Sequence, residues 1–403
     1  MSHSTSSPLP LEGIRVLELG SLIAGPFTGR LLADFGAEVI KVEPPDKPDP
    51  MRKWGKHKNG IGLWWPIQSR NKRSITLNLR EQEGQQLFKE ISEKSDIIIE
   101  NFRPGTMEKW GLSYETLSEK NEGLIMVRTS GFGQTGPYKN RAGFGSVGEA
   151  MGGIRHVTGY QDRPPSRIGI SIGDTLAALF STIGCLAALQ ERNRSGKGQI
   201  VDTAIYESVF AVMESTVPDY LLAGAIRERM GNTLPGIAPS NIYLTKDRTF
   251  IVIGANADGV FRRLCEAMGE PELANHPDYC SHEARGDNMK ALDERIERWT
   301  TSLSAEEALA ILEQKGVPSG LIYSAKEMVE DPHYQAREMI VHVDHPTLGP
   351  FPMPGIVPKL SRTPGAIKHT GSLAPGSDNE AVYGQLLNLD NEALCALQKR
   401  QII

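Results

Sequence analysis

The sequence predicts an α/β protein whose parallel sheet is covered by helices on both faces. Three observations carry that expectation. The chain opens with a strand–helix–strand unit, further strands follow with a helix between them, and a long apolar helix then leads into one more strand. Strands that alternate with helices favour parallel pairing, because each crossover returns over a face of the sheet.

In chain order, Ile14–Leu19 (IRVLEL) reads as a buried strand, followed by a glycine-bearing loop and a helix opening near Pro26. Proline suits a first helical turn because its missing N–H would be unpaired there anyway. Glu38–Glu43 (EVIKVE) is the second strand. Ser74–Leu79, Asp96–Glu100 and Gly123–Arg128 read as further strands, with a helix at Glu81–Ser92. Asp174 opens a helical pattern to about Arg192, with Leu176, Leu179, Phe180, Ile183 and Ala187 forming one apolar face. A basic turn at Arg192–Lys197 with Gly196 and Gly198 ends it, and a strand at Gln199–Thr203 follows. Gly231–Ser240 (GNTLPGIAPS) reads as a functional loop or boundary. After it the texture changes to a hairpin, Asn241–Thr245 with Thr249–Ala255, and helices at Ala257–Met268, Asn288–Ser302 and Ala305–Lys315. That is a smaller α+β domain. From about Asp331 the chain returns to short strands, Pro-rich turns and a last helix, Asn391–Arg400.

Composition narrows the function classes. A chain of 403 residues, 39% apolar and 23% charged, has the balance of a soluble protein with two cores. A net charge of −5 argues against a general nucleic-acid binder, whose footprint is basic. Cys185, Cys265, Cys280 and Cys395 lie far apart, without a CxxC pair or clustered histidines, so neither a zinc site nor a disulfide framework is expected. Met1–Pro10 is Ser/Pro-rich and lacks the basic and apolar regions of a signal peptide. No apolar run is expected to reach the length of a membrane span. The expected compartment is the cytoplasm.

The motifs permit several chemistries. Gly20, Gly25 and Gly29 between two strands suggest dinucleotide binding, but their spacing is wrong for G-x-G-x-x-G. A literal match at Gly143–Gly148 (GFGSVG) follows a polar loop rather than a strand, so its context fails. Local sequence reads Asp174 as a helix N-cap. The same position would also keep a carboxylate ionised and nucleophilic, and Gly173 would leave room for a bulky thioester. Lys47, Arg52, Lys53, Lys56 and Lys58 form a basic stretch that is either a solvated face or a dock for a phosphorylated tail. His156 is a structural hydrogen-bonder or a base. No G-x-S-x-G elbow supports a Ser-His-Asp hydrolase.

Several segments, read together, resemble the family III CoA-transferases: PLEGIRVLELGSLIAGPF, LLADFGAEVIKVEPP, SRNKRSITLNL, ENFRPGTMEKWGL, SGFGQTGPY, the Gly173-Asp174 pair, SGKGQIVD and GVPSGLIYS. They cover the chain from Leu11 onward. The resemblance implies a large Rossmann-like domain built from both chain ends (1–225 and 331–403), a smaller inserted α+β domain (226–330), and an interlocked homodimer. It implies transfer of CoA from an acyl-CoA donor to a small carboxylic acid, with Asp174 as the covalent nucleophile. CoA contacts would come from Leu22, Ile23, Ala24, Leu77, Arg80, Asn101, Phe102 and Lys109, with coenzyme A a substrate and no metal. Pro44 stands where the formyl-CoA members carry arginine. Their glycine-rich lid is replaced by Gly231–Ser240.

The segment Met51–Arg73 resembles the dicarboxylate-using members. It sets Arg52 beside Trp54, and the arginine's fork would hold an acceptor's distal carboxylate. Succinyl-CoA is the expected donor, with malate, citramalate, mesaconate, itaconate or glutarate as acceptor. The alternatives are an α-methylacyl-CoA racemase-like isomerase, a formyl-CoA/oxalate or carnitine transferase, and a non-catalytic CoA-binding protein. Racemases of this family carry a histidine where Arg141-Ala142-Gly143 is here followed by Phe144, which cannot accept a proton. His156 is the next candidate base for that reading.

Overall fold

The computed structural model of the chain describes residues 8–403. Its contacts divide into two compact units. The larger comprises the residues up to Ile154, Gly169–Glu214 and His333–Ile403; the smaller comprises Arg155–Ile168 and Ser215–Pro332. The sequence places the joints at 225/226 and 330/331 and leaves 155–168 with the large domain. Hydrogen bonds explain where that segment goes: the Gly231 amide donates to the Gly159 carbonyl at 2.8 Å, and the Asn232 side-chain amide to the Tyr160 hydroxyl at 2.8 Å.

The large unit is a six-stranded sheet. Its elements are β1 (Arg15–Glu18), α1 (Ala24–Asp34), β2 (Glu38–Glu43), β3 (Lys72–Thr76), α2 (Gln82–Ser92), β4 (Ile97–Glu100), β5 (Ile125–Ser130), α3 (Gly145–Met151), α4 (Ile172–Ser195), β6 (Ile200–Ala204) and α5 (Ile205–Phe210). The strand order is β3-β2-β1-β4-β5-β6, with every pair parallel. That is the order of a doubly wound nucleotide-binding sheet.

Successive side chains point to opposite faces of a strand, so a sheet covered on both faces reads as continuous apolar runs. Leu17, Ile40, Ile75, Ile98 and Met126 face one core with Phe88 and Ile91 of α2. Val16, Val39, Ile97, Ile99, Ile125 and Val127 face the other with Leu32 of α1 and Leu189 of α4. The C-terminal return closes the first core through α9 (Asn379–Leu387), α10 (Asn391–Lys399), and Ile402 and Ile403, the last two residues. The Tyr383 hydroxyl donates to the Thr76 carbonyl at 2.7 Å and the Ser74 amide to Asp378 at 2.7 Å, which fixes α9 on β3.

α4 departs from expectation twice. It buries Gly173, Ala177, Ala178, Ser181, Cys185, Ala188 and Leu189, whereas Leu179, Phe180, Ile183 and Leu186 are exposed on the chain. Small residues let it lie close on the sheet, and the large apolar ones point away. By length and composition alone α4 also passes for a membrane span, with mean hydropathy 1.7 over 18 residues. This corrects the expectation that no run is long enough.

The small unit holds a three-stranded antiparallel sheet, in which β8 (Phe250–Gly254) lies between β7 (Ser240–Leu244) and β9 (Ser319–Leu321). Helices α6 (Asp258–Ala267), α7 (Met289–Thr300) and α8 (Ala305–Gln314) supply Phe261, Leu264, Leu292, Ile296, Ala308 and Leu312 to its core.

A buried ion pair ties the large unit's helical layer to its return. The Arg70 guanidinium donates to both Asp34 oxygens, at 2.9 and 2.5 Å, and to the Pro354 carbonyl at 2.5 Å. Breaking such a pair from one side leaves an uncompensated buried charge. Arg70→Leu is therefore expected to cost about 3–5 kcal/mol, read as a lower urea midpoint at unchanged slope.

Candidate active site

The sheet changes direction of winding between β1 and β4, and a doubly wound sheet binds ligands beyond the strand C-termini at that point. The loop after β1 forms one lip. Gly20 and Gly25 cross so closely that a Cβ on either would stand 3.0 Å from the other's Cα. These glycines allow the turn to be tight. Leu22 holds a left-handed φ of 65°, which is uncommon for a leucine and needs outside support. Asp49 provides it, accepting the Leu22 amide at 3.1 and 3.2 Å and the Met51 amide at 3.0 Å. Gln68 donates to the Leu22 and Ile23 carbonyls at 3.3 and 3.1 Å.

Beneath this loop lies a chain of buried charges. Lys41 sits opposite Glu18 in the sheet and bridges it, at 3.2 Å, to Asp49 at 2.9 Å; it also donates to the Gly20 carbonyl. Lys72 reaches Glu18 at 2.6 Å and the Pro26 carbonyl at 2.6 Å. Gly29 makes room for the pair, since a Cβ there would stand 2.0 Å from a Glu18 oxygen. Burial alone would lower the Lys41 ammonium, but Asp49, Glu18 and Glu43 outweigh it and raise it above its ordinary value. Burial dominates at Lys72 and lowers it to about 8. Burial would raise the Asp49 carboxyl, yet Lys41 and the loop amides hold it below its usual range.

The second lip follows β4. Asn101 accepts the Ser21 amide at 2.8 Å and donates to the Ser21 carbonyl at 2.9 Å, stitching the lips together. Phe102 donates its amide to Glu100 at 2.7 Å and packs edge-on against Trp110 at 5.3 Å. Between the lips opens a cavity of about 120 Å³ lined by Leu19, Ser21, Lys47, Leu77, Arg80 and Phe102, among others.

The expected contact residues therefore separate. Leu22, Ile23 and Ala24 form the lip and the start of α1. Leu77, Phe102 and the exposed Arg80 line the cavity, as does Pro44. Asn101 braces the loop with both side-chain polar atoms. Lys109 ends a short helix, Thr106–Lys109, and is exposed outside the cavity lining. Trp54 is 40% exposed beside Trp64, with ring centres 6.0 Å apart.

Arg52 needs correction as an acceptor clamp. Its fork is occupied by Glu43, with bonds of 2.9 and 2.6 Å, its third nitrogen donates to the Leu373 carbonyl at 2.7 Å, and its plane lies 3.9 Å over Trp65. The carboxylate it was expected to hold is supplied by the protein itself. Burial would raise Glu43, but Arg52 and Lys41 lower it. Lys41, Asp49 and Gln68 were missed. A lysine inside the apolar EVIKVE strand was the available signal, because a buried lysine must find a partner.

Asp174 lies in the first turn of α4, at the third helical position, with Ser171 rather than Asp174 as the N-cap. The dipole of a helix start favours an anion there, with the Ile172 and Gly173 amides taken up by Ile170 and Glu149. Its carboxylate rests against Gly145 of α3. The loop lip reaches α4 through α1, where Thr28 donates to the Ala178 carbonyl at 3.4 Å. His156 pairs with Glu228 at 3.6 Å inside the small unit.

The CoA-transferase family III model matches residues 11–378. The chain belongs to CoA-transferase family III. It is 56% identical to a succinyl-CoA–D-citramalate CoA-transferase of Chloroflexus aurantiacus over 99% of this chain and 100% of that one. It is 40% identical to the alpha subunit of a succinyl-CoA–L-malate CoA-transferase from the same organism, covering 98% and 93%. A crystal structure of a family member from Brucella suis superposes with a TM-score of 0.83 at 34% identity, covering 94% of this chain and all of that one. The mixed α/β fold with its parallel central sheet is thus a family III fold.

Asp49 supplies a pH test of the lip. A carboxyl lowered on folding contributes stability that is present above its ordinary value of 3.8 and lost as pH falls through the lower folded value. Asp49→Asn should unfold earlier in urea at pH 7, and its deficit should shrink as pH drops below 3.8. A pH-independent deficit would mean that Asp49 acts through shape alone.

Proposed function

We propose that the chain moves CoA from succinyl-CoA to a small dicarboxylic acid of the citramalate or malate kind, with Asp174 as the covalent nucleophile. The observation that carries this reading is full-length identity of 56% to a succinyl-CoA–D-citramalate CoA-transferase. An acidic side chain in the first turn of a 24-residue helix supports the choice of nucleophile.

The chemistry is two rounds of acyl exchange. An Asp174 oxygen attacks the succinyl thioester carbonyl and the C–S bond breaks, leaving a mixed anhydride and CoA thiolate. The thiolate attacks the aspartyl carbonyl, which releases succinate and leaves an aspartyl-CoA thioester. The acceptor carboxylate attacks that thioester, forming a second anhydride and thiolate. The thiolate then attacks the acceptor carbonyl, giving acceptor-CoA and restoring Asp174. Each step exchanges an anion for an anion and moves no proton, so the reaction calls for no general base and no metal. Backbone N–H groups near Asp174 are the candidate donors to the tetrahedral oxyanions, the Ile172, Gly173 and Thr175 amides being already taken by Ile170, Glu149 and Ser171. The CoA tail would run through the β1–β4 crevice, with Lys47 and Arg80 meeting its phosphates.

The decisive experiment sets succinyl-CoA with C4–C5 dicarboxylates against the same donor with monocarboxylates and carnitine, read by mass spectrometry. Turnover should be at least about tenfold higher with a dicarboxylate; equal turnover with monocarboxylates would remove the dicarboxylate assignment. Asp174→Ala should lose transfer while still binding CoA, and hydroxylamine after acyl-CoA should tag the wild-type Asp174 peptide.

The working unit on this reading is a cytoplasmic homodimer. The exposed face of α4 supports a partner there, since Ile183 is 61% exposed beside Leu179, Phe180 and Leu186. An apolar stripe of that kind is ordinarily covered. Native mass spectrometry at nanomolar concentration should show a dimer, and Ile183→Arg should shift it toward monomer. A monomeric, fully active wild type would overturn the dimer.

A further inference from the structure

The glycines that spell a dinucleotide fingerprint at Gly143–Gly148 have another use in the fold. Gly143 passes the Gly131 backbone, where a Cβ on Gly131 would lie 2.9 Å from the Gly143 Cα. Gly145 and Gly148 on α3 and Gly152 at its C-cap fall at i, i+3 and i+7, and so share one face of the helix. A Cβ at Gly148 would stand 2.5 Å from the Ile205 side chain, and one at Gly152 would stand 2.5 Å from Val209, so this face is pressed onto α5. Gly145 meets a different neighbour: a Cβ there would stand 2.2 Å from Asp174 Oδ2, 2.9 Å from Cγ and 3.2 Å from Oδ1. The packing that seats α3 also seats it against the carboxylate of Asp174.

Glu149, on the same short helix, makes a second contact with this turn. It is only 1% exposed, and its Oε1 accepts the Gly173 amide at 3.4 Å, one residue before Asp174. Gly173 in turn has no room for a side chain, because a Cβ would meet the Glu149 Cγ at 3.1 Å and the Gly145 carbonyl at 3.1 Å. One helix therefore limits the Asp174 carboxylate on one side and holds the backbone behind it.

The geometry points to Gly145 and Glu149 as positioning residues for Asp174: Gly145 sets the carboxylate's orientation by leaving it room, and Glu149 fixes the helical turn that carries it. This rests on the reading of Asp174 as the nucleophile. The atoms displaced by a methyl group tell the two roles of the stripe apart. At Gly145 they are the far end of a flexible side chain, which can turn aside without unpacking the helix. At Gly148 they include the Tyr206 amide at 3.2 Å and at Gly152 the Tyr206 carbonyl at 2.8 Å, which cannot.

The test measures kcat, KM for succinyl-CoA, melting temperature and the rate at which a water-soluble carbodiimide modifies Asp174. Gly145→Ala should lower kcat on the order of 10²-fold, the scale set by misplacing a reacting group by about 1 Å. Its KM should stay within about threefold and its melting temperature near wild type, while carbodiimide labelling of Asp174 changes severalfold. Gly148→Ala should instead lose melting temperature and keep the kcat of its folded fraction. Glu149→Ala should lower kcat at least about tenfold, and Glu149→Gln, which keeps an oxygen for the Gly173 amide, should restore it. Wild-type kcat and labelling in Gly145→Ala would overturn the proposal. So would a kcat loss that merely tracks unfolding, or Glu149→Gln as impaired as Glu149→Ala. If wild type shows no CoA transfer, the functional reading fails by itself, and the labelling still decides whether α3 sets the Asp174 carboxylate.

Discussion

The structure depends on where Lys41 finds its counter-charges. A lysine at the C-terminal end of a central parallel strand cannot reach water and is too costly to leave unpaired. It is satisfied sideways by Glu18 of β1, forward by Asp49, and upward by the Gly20 carbonyl. Buried ion networks are weak evidence for stability, since apolar replacements of the same volume are often neutral. Direction is what this one supplies. Asp49, charged because Lys41 is beside it, can accept the Leu22 amide and keep a leucine in the left-handed region.

The other lip uses the same device with different residues. Arg128 of β5 donates to Glu100 at 2.7 Å and to Glu108 at 2.7 and 3.3 Å, so the end of β4 and the short helix after it share one guanidinium. Glu100 then takes the Phe102 amide, whose ring packs on Trp110. Asn101, between the two networks, joins the lips through Ser21. The crevice is thus rigid where backbone groups face it, while the cations nearest the mouth, Lys47 and Arg80, remain exposed. On the proposed reading that division suits CoA, whose phosphates Lys47 and Arg80 would meet at the cost of their own rotamer freedom.

The sheet was legible because its strands are apolar on both faces, and short continuous apolar runs bounded by turns suit strands buried between two helical layers. Five of the strands lie within two residues of the predicted ends, and β3 begins two residues early, leaving Leu77 and Leu79 to line the cavity. The faces of α4 were not legible. Ala177, Ala178, Cys185 and Ala188 are buried while Leu179 and Ile183 are exposed, because closeness to the sheet rewards small residues more than apolar bulk. Site residues divided along the same line. Asp174 and the first loop were reached through motif resemblance, but the groups that contact them, Gly145 and Glu149 for one and Asp49 and Gln68 for the other, come from loops and helices distant in sequence. Arg52 was misassigned because its neighbour in sequence, Trp54, was visible and its neighbour in space, Glu43, was not.

With its fork paired to Glu43, Arg52 leaves the acceptor site proposed for this chain a different task. Every step proposed here brings one anion against another, so the site has to suppress repulsion before it can select among acids. A fork reserved for a distal carboxylate would add selectivity, yet it would leave the reacting carboxylates uncompensated. On the proposed mechanism the start of α4 acts on the reacting pair itself, because its helix dipole favours negative charge at Asp174 whichever acid approaches. Orientation then becomes the limiting quantity. A carboxylate that must become an anhydride, then a thioester, then an anhydride again needs open space on the attacking side and a fixed wall on the other. Gly145 forms a wall of backbone rather than side chain, the closest approach a protein can offer without a clash. On the proposed reading of Asp174 as nucleophile, the residue at that position sets how it presents itself, and selection among dicarboxylates is left to the space in front of it.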